Sequence, residues 1–325
     1  MGGDLAPAAP VEGAVAAARE LGVEVVLVGQ PERLAAELQA RGGGSGVSVH
    51  PASEVISFDE HPAQAVRRKK DSSLVVGARL LAEGQVDAFV SAGSTGALVA
   101  AGLFVVGRIP GIERPALAAA LPGPKGATLL LDVGAVVDCK PEWLLQFAIM
   151  GAVYAEVALG RATPRVGLLN IGSEAEKGNE LTKAAYALLE KSGLQFMGNV
   201  EPRDLMTGVA DVVVADGFAG NVALKALEGL GSVLKGVIKG ALKRTALSLV
   251  GALLVKGPLE RGMKPYDYKE TGGAPFLGVR APFFKCHGSS DARAVRNGIE
   301  RARDMVAGRA VEQIRARIAA MGAQA

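Results

Sequence analysis

The chain has 325 residues, 49% hydrophobic and 21% charged, the balance of a globular protein with a large core rather than of a disordered or fibrous one. Its two cysteines, Cys139 and Cys286, lie far apart and lack metal-ligand spacing, which argues against a disulfide framework or a zinc site. A net charge of +3 without interleaved aromatics argues against nucleic-acid binding, no apolar run reaches bilayer length, and the opening has no signal-peptide pattern, so a cytoplasmic protein is expected.

The 43 glycines, spread along the chain, predict many tight strand-to-helix turns, and 4% aromatics predicts a core of Val, Leu and Ala. Residues 11–21 have helical spacing, 23–28 read as a buried strand and 31–41 as another helix, so the class is α/β from the start. A Gly-rich patch leads to a short strand near 47–50. Residues 61–83 read as two helices with Arg67-Arg68-Lys69-Lys70 between them, either a solvated face or a contact for an acidic partner. A strand at 86–90 runs into Ser91-Ala92-Gly93-Ser94-Thr95-Gly96, followed by a helix over 97–106. Three hydroxyls beside two glycines suit a phosphate cradle, but the P-loop lysine and the GxGxxG spacing are missing.

Apolar runs at 116–121 and 128–131 follow, the second closed by Asp132-Val133-Gly134. Pro141 suits the first turn of a helix reaching about 159. A strand at 165–170 precedes a polar loop and a helix carrying Glu180 and Lys183 on adjacent turns. Val212-Val213-Val214 then make a β-branched strand stopped by Asp216 and Gly217, with helical spacing resuming at Val222. The turn between, DGFAGN, sits where ligands bind in open parallel sheets, because N–H groups at a helix start are unpaired. Gly217 and Gly220 let backbone approach a bound group, while Asp216, Asn221 and Lys225 bring a carboxylate, an amide and a cation. The plainer reading is an ordinary turn with Asn221 capping the helix.

Residues 232–255 read as one long helix with Lys235, Lys239 and Lys243 every four residues beside Leu234, Ile238, Leu242, Leu249 and Leu253. Such a basic amphipathic helix serves a dimer interface, a core or a membrane surface, and Leu253-Leu254-Val255 before Lys256-Gly257-Pro258 would make an apolar tip. Between 232 and 269 eight Lys and Arg face two acidic residues, so the basic excess is local. His287-Gly288-Ser289-Ser290-Asp291 precedes a terminal helix over 292–320, and His287 reads as either catalytic or structural.

Seven blocks in this order, MGGDLAP, SAGSTGAL, LLDVGAVVD, LLNIGSEAEKGNELTK, GNVEPRDL, ADGFAGNVALKALEG and HGSSDA, resemble the bacterial acyl-ACP:phosphate acyltransferases of phospholipid synthesis along nearly the whole chain. The resemblance implies transfer of a long acyl chain from acyl carrier protein to inorganic phosphate, with glycerol-3-phosphate acyltransferase as the downstream user. It further implies one α/β domain over 1–325 with a mostly parallel sheet flanked by helices, akin to phosphotransacetylases and decarboxylating dehydrogenases. A homodimer is expected, cytoplasmic and peripherally attached to anionic membrane through the embedded segment 232–269, with Lys239, Lys243, Leu249, Leu253, Leu254 and Val255 in contact. Three departures stand out. The chain starts at Met1 inside the family's AMGGD-type motif, so the strand before it is expected to be missing; Ser94 and Val136 each stand where the family has Asn.

The chemistry of this reaction needs a positioned phosphate and a stabilised oxyanion, with no metal and no cofactor. Lys183 is assigned to phosphate or the developing charge, Asp216 to orienting that lysine, and Asn221 with the Ser94–Gly96 turn to phosphate or oxyanion contacts. Asp4, Ser91, Gly93, Thr95, Asp132, Gly134, Gly217, Gly220, Lys225, His287 and Ser289 complete the expected phosphate and substrate site. Competing readings are a short-chain acyl-CoA:phosphate transferase, a dehydrogenase on the same fold, a covalent route through Cys286, and an inert membrane scaffold.

Overall fold

The computed structural model describes residues 1–322 apart from 264, 265, 267–269 and 271. Helices and strands alternate over the first half: α1 (Ala8–Leu21), β1 (Val25–Gly29), α2 (Pro31–Ala40), β2 (Val47–Pro51), α3 (Pro62–Arg68), α4 (Ser73–Ala82), β3 (Phe89–Ser91) and α5 (Thr95–Ala101), which ends in a π-helical turn over Gly102–Val106. Strands β4 (Ala116–Leu121) and β5 (Thr128–Leu131) precede α6 (Pro141–Ala158), β6 (Arg165–Leu169), α7 (Glu180–Glu190), β7 (Gln195–Val200) and β8 (Val212–Val214). Then come α8 (Gly217–Leu242), α9 (Ala246–Met263), β9 (Ala274–Leu277), β10 (Phe283–Lys285), α10 (Ala292–Ala307) and α11 (Ala310–Gly322).

Strands β1 and β2 pair in parallel as a small separate sheet. The other eight form one sheet in the order β3-β10-β9-β4-β5-β8-β6-β7. Its centre, β5 and β8, is buried on both faces, which is why Leu129-Leu130-Leu131 and Val212-Val213-Val214 are unbroken apolar runs. Alternation divides them: Leu129, Leu131, Val212 and Val214 pack against α6, while Leu130 and Val213 face α4 and α5. Helix α6 is apolar nearly all round because it is enclosed, with Leu144, Phe147 and Met150 fully buried.

Parallel pairs join β3 to β10 and β5, β8, β6 and β7 to one another. Between these blocks β10-β9, β9-β4 and β4-β5 are antiparallel. An odd number of reversals means that β3 and β10 run opposite to β5 and β8. The turns that leave β3 and β8 therefore emerge in opposite directions, and a single row of C-terminal turns does not exist. The sheet is thus mostly parallel and flanked by helices, as the sequence reading expects, with its antiparallel pairings confined to β10-β9-β4-β5.

Three helix boundaries differ from the sequence reading. The segment 232–255 is not one helix: α8 ends at Leu242 and α9 starts at Ala246, with Thr245 Oγ1 accepting from Ser248 N–H at 3.0 Å as a cap. Helix α9 continues through Pro258 to Met263 instead of stopping at Lys256-Gly257-Pro258. The terminal helix breaks at Gly308 and Arg309, where Arg309 takes a φ of 53°. Lys264, Asp267 and Lys269 of the basic segment lie outside the described residues. Among the described residues no helix is long and apolar enough to cross a membrane.

Candidate active site

The first group of site residues lies where β5 and β8 end. Asp132 is fully buried, and its carboxylate accepts from the backbone N–H groups of Leu117 (2.9 Å), Ala135 (3.0 Å) and Val136 (2.7 Å). Burial pushes its pKa up to about 6 against the opposing pull of these bonds. With its oxygens occupied by its own turn, Asp132 shapes the site and presents nothing to a ligand. Val136 carbonyl in turn accepts from Gly217 N–H at 2.8 Å, which ties the turn to the start of α8.

Helix α8 begins at Gly217 with Asp216 as its cap, the Asp216 carboxylate accepting from Phe218 N–H (3.0 Å) and Ala219 N–H (2.9 Å). Asn221 is thus not the cap but an exposed residue on the helix, without a hydrogen bond among the described residues. The helix docks at backbone contact: a Cβ on Gly220 would stand 1.9 Å from the Asp132 carbonyl oxygen. Gly134, at a φ of 122°, lies beneath the Asn221 amide, whose Nδ2 would be 3.4 Å from a Cβ there.

The second group surrounds the end of β3. Lys285 of β10 is in register with Ser91, and Cys286 N–H donates to the Ser91 carbonyl at 2.8 Å. Gly93 N–H donates to Ser91 Oγ at 3.2 Å. Gly2 crosses over Gly93 so closely that a Cβ on it would meet Gly93 Cα at 2.8 Å. Asp4 N–H donates to the Gly288 carbonyl at 2.8 Å, and His287 Nδ1 lies 2.8 Å from Ser289 Oγ. Ser94 is buried at the start of α5, Thr95 is exposed, and Gly96 is pressed against Pro62. His287 is held below its ordinary pKa by burial and then by Lys285.

The face of α8 that leaves the first group carries further polar side chains. Asn221, Lys225 and Glu228 follow at i, i+4 and i+7, so Asn221 and Lys225 are about 6 Å apart along the axis. Lys225 Nζ pairs with Glu228 at 2.7 Å, and both belong to the electrostatic surroundings of Lys285, as does Asp4. Lys285 and Glu228 were not singled out from sequence. The available signal was a cation ending a short apolar strand, Phe283-Phe284-Lys285, beside the HGSS turn.

Lys183 stands apart from both groups. It is exposed on the first turn of α7, capped by Asn179, and makes no ion pair with Asp216 among the described residues. Since β6 and β8 are parallel neighbours, α7 starts on the same rim as the Asp216 turn. Lys239 is exposed on α8 and Lys243 just past its end, whereas Leu249, Leu253, Leu254 and Val255 are exposed on α9, so these two cations and the apolar tip do not share a helix. A surface groove of about 690 Å³ between α1 and α2, lined by Glu12, Arg19, Glu37 and Arg41, is remote from all these residues, and its Arg41 already pairs with Glu37. Among the described residues no group of three His, Cys, Asp or Glu is placed to hold a metal ion.

A family profile described as "Fatty acid synthesis protein" matches residues 1–313. A phosphate acyltransferase of Pelotomaculum thermopropionicum is 51% identical over 318 residues, covering 98% of this chain and 93% of the relative. One of Desulfitobacterium hafniense is 52% identical over 316 residues, covering 97% and 95%. Among solved structures, a phosphotransacetylase from Streptococcus pyogenes superposes with a TM-score of 0.61 at 17% identity, covering 93% of this chain and 91% of that one, a likeness of fold. With half of its residues shared along nearly its entire length, the chain belongs to the family of the phosphate acyltransferases, enzymes of fatty acid synthesis.

Proposed function

We propose that this enzyme transfers a long-chain acyl group from the thioester of acyl carrier protein to inorganic phosphate, releasing acyl phosphate and the carrier thiol. The observation that carries this reading is the docked start of α8, where a free amide lies against glycine backbone, Asn221 over Gly134, with Lys225 one turn further along the same face. A phosphate oxygen attacks the thioester carbonyl carbon, forming the C–O bond. The carbonyl oxygen gains negative charge, which amide and N–H donors stabilise, and collapse breaks the C–S bond with its electron pair leaving on sulfur. Phosphate at neutral pH is already anionic and the departing thiolate has a conjugate pKa of about 8.5, so positioning matters more than proton removal. Lys183, on the rim, supplies charge to phosphate or to the transition state as its flexible side chain reaches in.

In the same reading α8 and α9 meet an anionic membrane surface in a homodimeric, cytoplasmic enzyme, and glycerol-3-phosphate acyltransferase takes the product. Leu230, Val233, Leu247, Leu253 and Leu254 are all exposed, next to Lys235, Lys239, Lys243 and Lys256. Each lysine near anionic lipid contributes about 1 kcal/mol. The acidic carrier docks on a basic surface, either exposed Arg67, Arg68 and Lys70 or the basic segment 232–269; Lys69 of the first run is engaged by Glu60 at 2.8 Å. The deciding experiment is release of free thiol from palmitoyl carrier protein with and without phosphate. Phosphate-dependent release supports the reading, release from acetyl-CoA alone transfers it to short-chain donors, and no release from either donor refutes it.

A further inference from the structure

The first turns of α8 carry their larger apolar side chains on the outside. The inward positions are Gly217 and Gly220, both buried, so the helix meets the Asp132 turn through backbone, and Ala223, Leu224 and Leu227 continue that inner face against the core. Phe218 and Val222 face the other way and are 65% and 54% exposed, the reverse of what docking on a core asks of a helix. Phe218, Asn221, Val222 and Lys225 stand at i, i+3, i+4 and i+7 and so share one outer stripe. The Asn221 amide, without a hydrogen bond among the described residues, therefore has an exposed apolar residue one turn before it and another beside it. The stripe begins at a fixed joint. Gly217 N–H donates to the Val136 carbonyl at 2.8 Å, and Val137 and Phe218, each one residue beyond that bond, are both exposed. Inorganic phosphate gains nothing from apolar neighbours, so these side chains serve the other substrate. An unmatched donor set among apolar side chains is complementary to a carbon chain that carries one acceptor, which is the composition of an acyl thioester.

We propose that Phe218 and Val222, with Val137 at the joint, form the seat of the donor's acyl chain where it leaves the thioester, and so set the preference for long-chain donors. The assignment rests on the acyl-transfer reading above and deepens it: Asn221 donates to the thioester carbonyl, and the adjoining methylenes lie along the stripe. From Phe218 to Val222 the helix rises about 6 Å, the length of about five methylenes. Covering a methylene on one side strengthens binding about twofold, so the stripe favours a long chain over a minimal one by about thirtyfold.

The test is a chain carrying both Phe218→Ser and Val222→Thr, with Phe218→Leu and Val222→Ile together as the apolar control. Thermal unfolding of both is expected to match the parent chain, since the replaced side chains are exposed. With palmitoyl carrier protein as donor, the polar pair is expected to raise the donor KM at least tenfold while the KM for inorganic phosphate stays within twofold, and the apolar pair to recover most of the loss. A donor KM within twofold of the parent's would overturn the proposal. So would equal rises for donor and phosphate, which mean that the start of α8 has moved as a whole. If the parent chain turns over no acyl donor, the acyl-transfer reading fails, and the emission of a Phe218→Trp chain decides the seat alone. A blue shift with palmitoyl carrier protein that is absent with the unacylated carrier sustains the seat, whereas no shift, or the same shift with both, overturns it.

Discussion

Replacing Gly220 by alanine separates contact from helix propensity, because the two predict opposite signs. Alanine in a helix is ordinarily favoured over glycine by about 0.8 kcal/mol. At Gly220, however, the new Cβ would stand 1.9 Å from the Asp132 carbonyl oxygen, so the first turns of α8 must withdraw by about 1.5 Å to reach ordinary contact. That movement pulls against the 2.8 Å bond from Gly217 N–H to Val136, worth about 1 kcal/mol, and adds an overpacking cost of about 2 kcal/mol. The net expectation is destabilisation by about 2 kcal/mol, with turnover reduced about a hundredfold because the adjacent Asn221 moves with the helix. Gly229→Ala is the control: nothing lies within 4 Å of its added Cβ, so stability should rise by about 0.8 kcal/mol. Urea unfolding at a fixed protein concentration measures both. A Gly220→Ala enzyme as stable as its parent would mean that α8 does not dock on the Asp132 turn as described.

Asp132 makes stability depend on pH. Its folded pKa, about 6, exceeds the ordinary 3.8, so its contribution is fully present below about pH 3.8 and is lost as pH rises through 6. Two pK units correspond to about 3 kcal/mol, and the stability difference between the parent and Asp132→Asn should shrink by about that much between about pH 4 and pH 7; a constant difference contradicts the burial account. Burial pushes the thiols of Cys139 and Cys286 up to about 12, so neither should react with a disulfide reagent near pH 8 before unfolding. Fast labelling of Cys286 would reopen thiol chemistry beside His287. Lys183→Ala should lower turnover about a hundredfold if its charge acts in the transition state, and near-normal turnover removes it from the mechanism. Replacing both Leu253 and Leu254 by Glu should abolish binding to anionic vesicles while sparing turnover of soluble donor; retained binding refutes a membrane-facing tip.

The sequence was informative wherever burial alone decides structure. The runs 128–131 and 212–214, the Pro141 start of α6 and the Asp216-Gly217 stop are local signals, and the structure follows them. Sheet direction was not legible, because it depends on the short antiparallel strands β4, β9 and β10, whose pairing partners are far away in sequence. The opposite directions in which the Ser91 and Asp216 turns leave the sheet follow from those pairings. The plainer alternative of Asn221 as a cap falls for a related reason: both Asp216 and Asn221 suit a cap, and contact between Gly220 and the Asp132 turn shows that the helix has already begun. Lys285 escaped notice because a three-residue strand shows too little alternation to say which face a cation takes.

The same helix raises a question of stability that its sequence answers only with a partner. Residues 228–241 are exposed throughout, and Gly229, Gly231, Gly236 and Gly240 each have open space where a Cβ would be. Four glycines weaken a helix by about 3 kcal/mol relative to alanine, and a solvent-exposed stretch of this length is marginal even for good helix formers. Its anchoring is confined to the N-terminal turns, where Asp216 caps it and Gly217 and Gly220 touch the β5 turn. On the reading proposed above, lipid or a second copy of the chain covers Leu230, Val233, Leu234 and Val237, which are exposed here. That cover is useful. Occupancy of the outer surface would steady the same helix that carries Asn221 and Lys225, so acyl transfer would be best supported where the amphiphilic product is to be delivered.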